Sequence, residues 1–274
     1  MKSFDTLVLS GASTSGICFL GKLFNMSIVE NPFENVTNFA GVSIGSVISL
    51  LMLIGYSPQE IAHRLYIATI WPNFANFFQI FVGKGLYKFD LFKEELSKMI
   101  REKFQNQLPT FAQLSRNFLC CSYNMSKREL CYFDTKRTPQ MCVLTALLCS
   151  CAIPFIFEPF YYNDELYIDG GIVNNFPIVE CTKIFECKEI CGMLCCKNNN
   201  SINSLRKEWS IFSDLLPILF CANSYFTTSQ IEQVRQQQQH MNLVLFLIKS
   251  DIQFFNLNLN AERIAHMFTS GMFQ

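Results

Sequence analysis

Asn38-Phe39-Ala40-Gly41-Val42-Ser43-Ile44-Gly45-Ser46-Val47-Ile48-Ser49-Leu50-Leu51 reads as the end of a short strand, a tight turn bearing one serine, and an apolar helix. Gly41 and Gly45 stand two residues on either side of Ser43, giving G-x-S-x-G. A serine on a sharp strand-to-helix turn needs a strained backbone, and side chains at the flanking positions would collide with the adjoining strand or helix. The turn also places the hydroxyl at a helix N-terminus, where N–H groups and the dipole favour developing negative charge. The same residues fit an ordinary βα turn, so the chain on either side has to weigh between the two readings.

Upstream, Thr6-Leu7-Val8-Leu9 has the length of a buried strand, Ser10 to Gly16 are all small, and Ile17 to Ile28 continue as an apolar helix. Small residues leave loop N–H groups unobstructed, a natural anion cradle. No lysine follows Gly16, so this is not a P-loop, and Ser13 occupies the second glycine position of a dinucleotide fingerprint.

Downstream, Ser57 and Pro58 start a helix running to about Ala68, with His63 inside it. Trp71 to Phe81 crowds aromatics around Pro72 and two asparagines, and reads as a flap that meets lipid or an apolar substrate rather than as core. Asp90 to Arg101 is an amphipathic helix. Phe118–Tyr123 and Leu130–Asp134 are strands, and Gln140–Cys149 is a helix. A strand then ends in Asp169-Gly170-Gly171, followed by Asn174-Asn175-Phe176-Pro177. Glu189–Leu194 and Leu243–Ile248 are further strands. Lys197–Asn203 is a polar loop, Trp209–Gln239 is largely helical with a break at Pro217, and Ala261–Thr269 is a last helix with Gly271 as its C-cap. Strands alternating with helices predict an α/β fold of three layers, a mainly parallel central sheet with helices on both faces. The expectation is a single domain over 1–274, with a motif-bearing core of about 5–195 and a C-terminal strand and helices of about 205–274.

Half the residues are hydrophobic and 22 basic side chains balance 22 acidic ones, so no basic footprint points to nucleic acid. No apolar run reaches the roughly 20 residues a bilayer requires, and the first residues lack a signal peptide's apolar core and cleavage site. A soluble, cytoplasmic chain is expected, peripheral to membranes at most. The 13 cysteines are odd in number and include adjacent pairs, which favours reduced, mostly buried thiols over a disulfide framework. The cluster from Cys181 to Cys196 has no C-x-x-C pair and no nearby histidine, so no metal is expected. Abundant Phe, Ile, Asn and Cys hint at an AT-rich genome, viral or of an intracellular organism.

Three arrangements compete at Ser43. A Ser-Asp-His triad is formally available through Asp169 with His240 or His266, although His240 ends a glutamine run and His266 lies inside a helix. A serine–aspartate dyad would let Asp169 take the proton directly. In the third arrangement both motifs are structural.

The loop Gly11 to Gly16, the turn at Ser43 and Asp169-Gly170-Gly171, in this order, resemble the patatin-like phospholipases. Gly85-Leu86-Tyr87, Ser150 to Pro154, Phe157-Glu158-Pro159 and Asn174 to Pro177 add to the resemblance, which covers about 5–195. It implies a lipid acyl hydrolase of phospholipase A type, with Ser43 as nucleophile, Asp169 as general base, and the N–H groups around Gly11, Ala12 and Ser13 as oxyanion hole. It implies no cofactor and no calcium, and it makes a lipid at an interface the partner. An acyl-enzyme resolved by an alcohol would make an acyltransferase, and a catalytically dead scaffold would be a lipid-binding module. Ala12, Ser13 and Ser15 depart from the family's glycine-rich loop, whose basic residue Ser15 replaces. Weaker activity, or a shift away from anionic head groups, follows as an expectation.

Overall fold

Thr6–Leu9 forms β1, and all four residues are buried. Successive side chains of a strand point to opposite faces. Leu7 and Leu9 enter one core and Val8 the other. The same division separates Phe39 from Ala40 in β2 (Asn38–Val42), and Phe118 and Cys120 from Leu119 in β3 (Asn117–Asn124). A sheet that is apolar on both faces must be covered on both, the condition under which parallel strands occur.

The computed structural model describes residues 3–67, 90–158, 160–197, 226–236, 241–250 and 260–274. The aromatic segment Trp71–Phe81, Gly85-Leu86-Tyr87, Pro159, most of the loop Lys197–Asn203, Pro217 and His240 lie outside the described residues. So does the larger part of Trp209–Gln239.

Among the described residues the remaining strands are β4 (Glu129–Asp134), β5 (Phe160–Tyr162), β6 (Glu165–Asp169), β7 (Glu189–Lys197) and β8 (Asn242–Ser250). They join one sheet of order β5-β6-β3-β2-β1-β7-β8, with β4 also on β3. From β3 to β8 every pairing along that order is parallel. The β4, β5 and β6 pairings are antiparallel. The β5–β6 hairpin turns on Asn163-Asp164, both at positive φ, as a two-residue hairpin loop requires. The expected mainly parallel α/β architecture is present, with an antiparallel extension at one edge.

The helices are α1 (Gly16–Ser27), α2 (Ile44–Leu53), α3 (Pro58–Ala62), α4 (Asp90–Lys103), α5 (Val143–Cys151), α6 (Ile178–Ile184), α7 (226–236) and α8 (Ala261–Met272). Helices α1, α2, α4, α5 and α8 cover the face that receives Leu7 and Leu9, while α6 and α7 cover the other. Ser57 caps α3 in a full capping box with Glu60, as its position predicts. The helix read through Ala68 instead leaves the α pattern after Ala62 and continues as a π turn, His63–Ile67. The helix expected from Gln140 begins at Val143, because Cys142 is held in a bridge to Thr110.

Gly271 is a correction. It lies inside α8, not beyond its end, and α8 is capped by Phe273. A Cβ at Gly271 would collide with the backbone of Cys18 in α1, and one at Gly21 with that of Phe268 in α8. The two glycines therefore let α1 and α8 cross with their backbones in near contact. Asn25 Nδ2 donates to Met272 O across the crossing at 2.7 Å.

Candidate active site

The carboxyl ends of β1 and β2 present two turns to the same point. Where β2 gives way to α2, Ser43 occupies the N-cap with φ 53° and ψ −134°, a conformation rarely open to a residue with a side chain. Both neighbouring glycines are explained by close approach. A Cβ on Gly41 would come within 2.5 Å of the Gly45 carbonyl carbon, and one on Gly45 within 2.6 Å of Leu9 O on β1. The Ser43 N–H donates to Ser150 Oγ at 2.9 Å, and Ser46 Oγ donates to Ser43 O at 2.6 Å. Ser150 belongs to the apolar helix α5, so the turn is pinned from a third element.

Asp169 ends β6 opposite Ser122 of β3, one position past the Val42–Cys121 pair that joins β2 to β3. After it the chain folds over β3 so tightly that a Cβ at Gly170 would be 2.5 Å from Cys121 O. Asp169 is 1% exposed. Its Oδ1 accepts from Gly171 N–H at 2.7 Å, while Oδ2 has no hydrogen-bond partner among the described residues. Burial pushes the carboxyl up from its ordinary value to about 7, and the nearby Ser43 hydroxyl and the Gly171 N–H pull the other way. Ser43 and Asp169 are thus both buried and near enough for the hydroxyl to act on the carboxyl, with Oδ2 left open.

The loop after β1 completes the arrangement. Ser13 takes φ 49°, so a serine adopts here the left-handed backbone that glycine takes freely. Gly11 N–H donates to Asn175 O at 3.3 Å, and Asn175 Nδ2 returns a bond to Gly11 O at 3.2 Å. Gly11 has no room for a side chain, since a Cβ would meet Asn175 Oδ1 and lie 3.5 Å from Ser43 Cβ. Of the three N–H groups expected at this loop, Gly11's is engaged, whereas those of Ala12 and Ser13 have no acceptor among the described residues. Ser15 does not reach the opening: it is buried and donates to Ser250 Oγ on β8 at 2.8 Å.

Ser13, Thr14, Ser43, Ile44, Tyr66, Phe92, Cys151, Ile153, Ile156 and Phe157 line a narrow cleft of about 40 Å³. Ile44, Phe92, Ile153, Ile156 and Phe157 make much of its wall apolar, and no carboxylate, histidine, lysine or arginine lines it. His63 and His266 are exposed and line other surface hollows, and among the described residues no histidine bonds Asp169. No disulfide joins the described cysteines, and burial pushes Cys120, Cys121 and Cys151 well up, so they stay protonated.

Three residues at the site have roles that the sequence reading did not assign. Ser150 anchors the Ser43 amide, Asn175 clamps the loop at Gly11, and Asn174 is buried with its Nδ2 on Tyr132 Oη at 2.9 Å. All three stand in stretches that carry the family resemblance, Ser150 to Pro154 and Asn174 to Pro177, but the sequence does not say what each touches.

A sequence profile described as patatin-like phospholipase matches residues 7–182. A protein of Acanthamoeba polyphaga mimivirus is 26% identical over 97% of this chain and 90% of its own length. A probable lipid hydrolase of Invertebrate iridescent virus 6 is 34% identical over 65% of this chain and 63% of its own. Both come from viruses, the kind of genome the composition hints at. The crystal structure of VipD from Legionella pneumophila superposes with a TM-score of 0.59 at 16% identity, over 99% of this chain and 66% of VipD. That likeness concerns the fold, while the profile spans the β1 loop, the serine turn and the Asp-Gly-Gly turn together. On that match the chain belongs to the patatin-like phospholipase family.

Proposed function

We propose that the chain hydrolyses carboxylic esters of phospholipids or other glycerolipids through a Ser43–Asp169 dyad. The observation that carries this reading is a buried carboxyl with an open oxygen and a pKa near 7, beside a serine on a positive-φ turn. A base poised near neutral pH holds the proton of a hydroxyl without needing a histidine. The family match and the probable lipid hydrolase among the relatives support the substrate class.

In this scheme Ser43 Oγ attacks the ester carbonyl carbon as its proton passes to Asp169 Oδ2. The Ala12 and Ser13 N–H groups and the N-terminus of α2 meet the negative charge that builds on the carbonyl oxygen. Collapse expels the alcohol, which takes the proton from Asp169 and leaves the acyl group on Ser43. Water then loses a proton to Asp169, attacks the acyl-enzyme and releases the acid, and Ser43 recovers its proton. Gly171 N–H holds Oδ1 throughout, so Oδ2 alone does the proton transfer. The cleft has room for only a few waters, so it widens as the acyl chain enters.

Ser43→Ala and Asp169→Asn are each expected to lower hydrolysis of phospholipid vesicles by at least about 10³-fold while the circular-dichroism spectrum stays native. A fluorophosphonate probe should modify Ser43 in the folded protein and not in Ser43→Ala. Absence of labelling under native conditions would favour a lipid-binding scaffold without turnover.

A further inference from the structure

The cleft below Ser43 holds two hydroxyl groups that the hydrolytic scheme leaves unused. Thr14 and Tyr66 are 3% and 4% exposed, both line the cleft, and among the described residues neither Thr14 Oγ1 nor Tyr66 Oη has a hydrogen-bond partner. Buried polar groups are nearly always paired, and each exception asks for an explanation. Tyr66 Oη sits at the first turn of α1. A Cβ on Gly16 would approach it within 2.8 Å and Ile44 Cγ2 within 3.0 Å, so the missing side chain of Gly16 makes space for the phenol. Burial keeps that phenol protonated, a neutral donor and acceptor. The surrounding wall consists of Ile44, Phe92, Ile153, Ile156 and Phe157, with no charge to pair with an ionic group.

We propose that Thr14 and Tyr66 form a neutral polar subsite that hydrogen-bonds an uncharged oxygen of the substrate inside the cleft. The preferred esters then carry such an oxygen close to the reacting carbonyl. This deepens the hydrolase reading and rests on it for the word substrate. The carbonyl oxygen itself already faces the Ala12 and Ser13 N–H groups, so the hydroxyl pair is surplus to it. A plain alkyl chain would seal both hydroxyls away from water with nothing to bond, the circumstance in which a polar site rejects an analogue most strongly. The oxygen has two sources: a hydroxyl, keto or epoxide group on the acyl chain near the ester, or a free hydroxyl of the glycerol.

Two substrate pairs separate the sources. One compares 4-nitrophenyl esters of equal chain length with and without a hydroxyl on the β carbon. The other compares a monoacylglycerol with the methyl ester of the same acid. Wild type is expected to favour the oxygenated member of at least one pair by about tenfold or more in kcat/KM. Tyr66→Phe and Thr14→Val, which delete only the hydroxyl, should each bring that ratio toward one, and Thr14→Ser should restore it. A wild-type ratio near one in both pairs, or a ratio that both deletions leave intact, overturns the subsite. Calorimetric binding of a β-hydroxy fatty acid against the plain acid provides a readout that needs no turnover. If no ester is hydrolysed but wild type binds the hydroxy acid more tightly and Tyr66→Phe does not, the subsite stands while the hydrolase reading falls. Equal binding of the two acids by wild type excludes the acyl chain as the source, and equal binding of the monoacylglycerol and the methyl ester as well overturns the subsite.

Discussion

A carboxyl group that burial holds near pH 7 acts on activity and on stability in opposite directions. As a base Asp169 must be ionised, so kcat/KM should rise with pH through about 7. In the unfolded chain the same group has an ordinary pKa near 3.9. Between these values the folded protein holds a proton that the unfolded chain releases. The contribution of Asp169 to stability is therefore fully present below the unfolded value and lost as pH rises through about 7. Asp169→Asn keeps an oxygen for the Gly171 N–H and removes the ionisation. At pH 8 it should be more stable than wild type by on the order of 2–4 kcal/mol, with the gap closing by pH 4. Urea denaturation at the two pH values measures both arms, and equal stabilities at pH 8 would contradict a raised pKa. The sequence drew attention to Ser43 and Asp169 because both stand beside glycines, which the structure explains by close backbone approach. The contacts of Ser150, Asn175, Thr14 and Tyr66 were not legible, because they arise between distant segments. Ser150 meets Ser43 across 107 positions and Asn175 meets Gly11 across 164.

At the level of elements, hydrophobic runs located β1, β2, β3, β4, β7 and β8 and helices α1, α2 and α4, since each has a periodicity that survives packing. The three-residue β5 lies in a run where its pattern is too short to register, although Asn163-Asp164 was a hairpin signal in plain view. Helix α6, seven residues long after Pro177, is set by docking Ile178, Val179 and Cys181 on the sheet more than by its own sequence. Gly271 misled for a physical reason: a glycine near a helix end is as useful for letting another backbone approach as for ending the helix. The two uses separate experimentally. Gly271→Ala should cost about 1–3 kcal/mol through the clash with Cys18, whereas at an exposed C-cap the loss would be smaller and local. Gly21→Ala should cost a similar amount through Phe268, and the double variant should be non-additive because both strike one crossing. Thermal denaturation of the three variants decides it.

For the whole molecule, the class of fold was legible because strands that are apolar on both faces must lie between two layers of helices. The order of the strands was not, since nothing local tells β1 that β7 will lie on its far side from β2. The motif-bearing part ends near β7, yet that strand pairs along its full length with β8, from Glu189 opposite Asn242 to Lys197 opposite Ser250. A chain cut after residue 197 would expose this edge and uncover α1. It should therefore fail to give a cooperative unfolding transition or to react with a fluorophosphonate; native-like reactivity of such a fragment would show that the last strand and helix are dispensable.

The crossing of α1 by α8 also sets a schedule. The bond from Asn25 to Met272 joins positions 247 residues apart, and α1 is the helix that directly follows the loop of Ala12 and Ser13. During synthesis at roughly 5–20 residues per second, that loop would wait on the order of 10–50 s for the helix that covers its neighbour. Throughout that interval the apolar flank of α1 is open to chaperones and to other nascent chains, while Ser43 has already left the ribosome. The nucleophile is made early, and the surface that braces its surroundings follows more than 200 residues later.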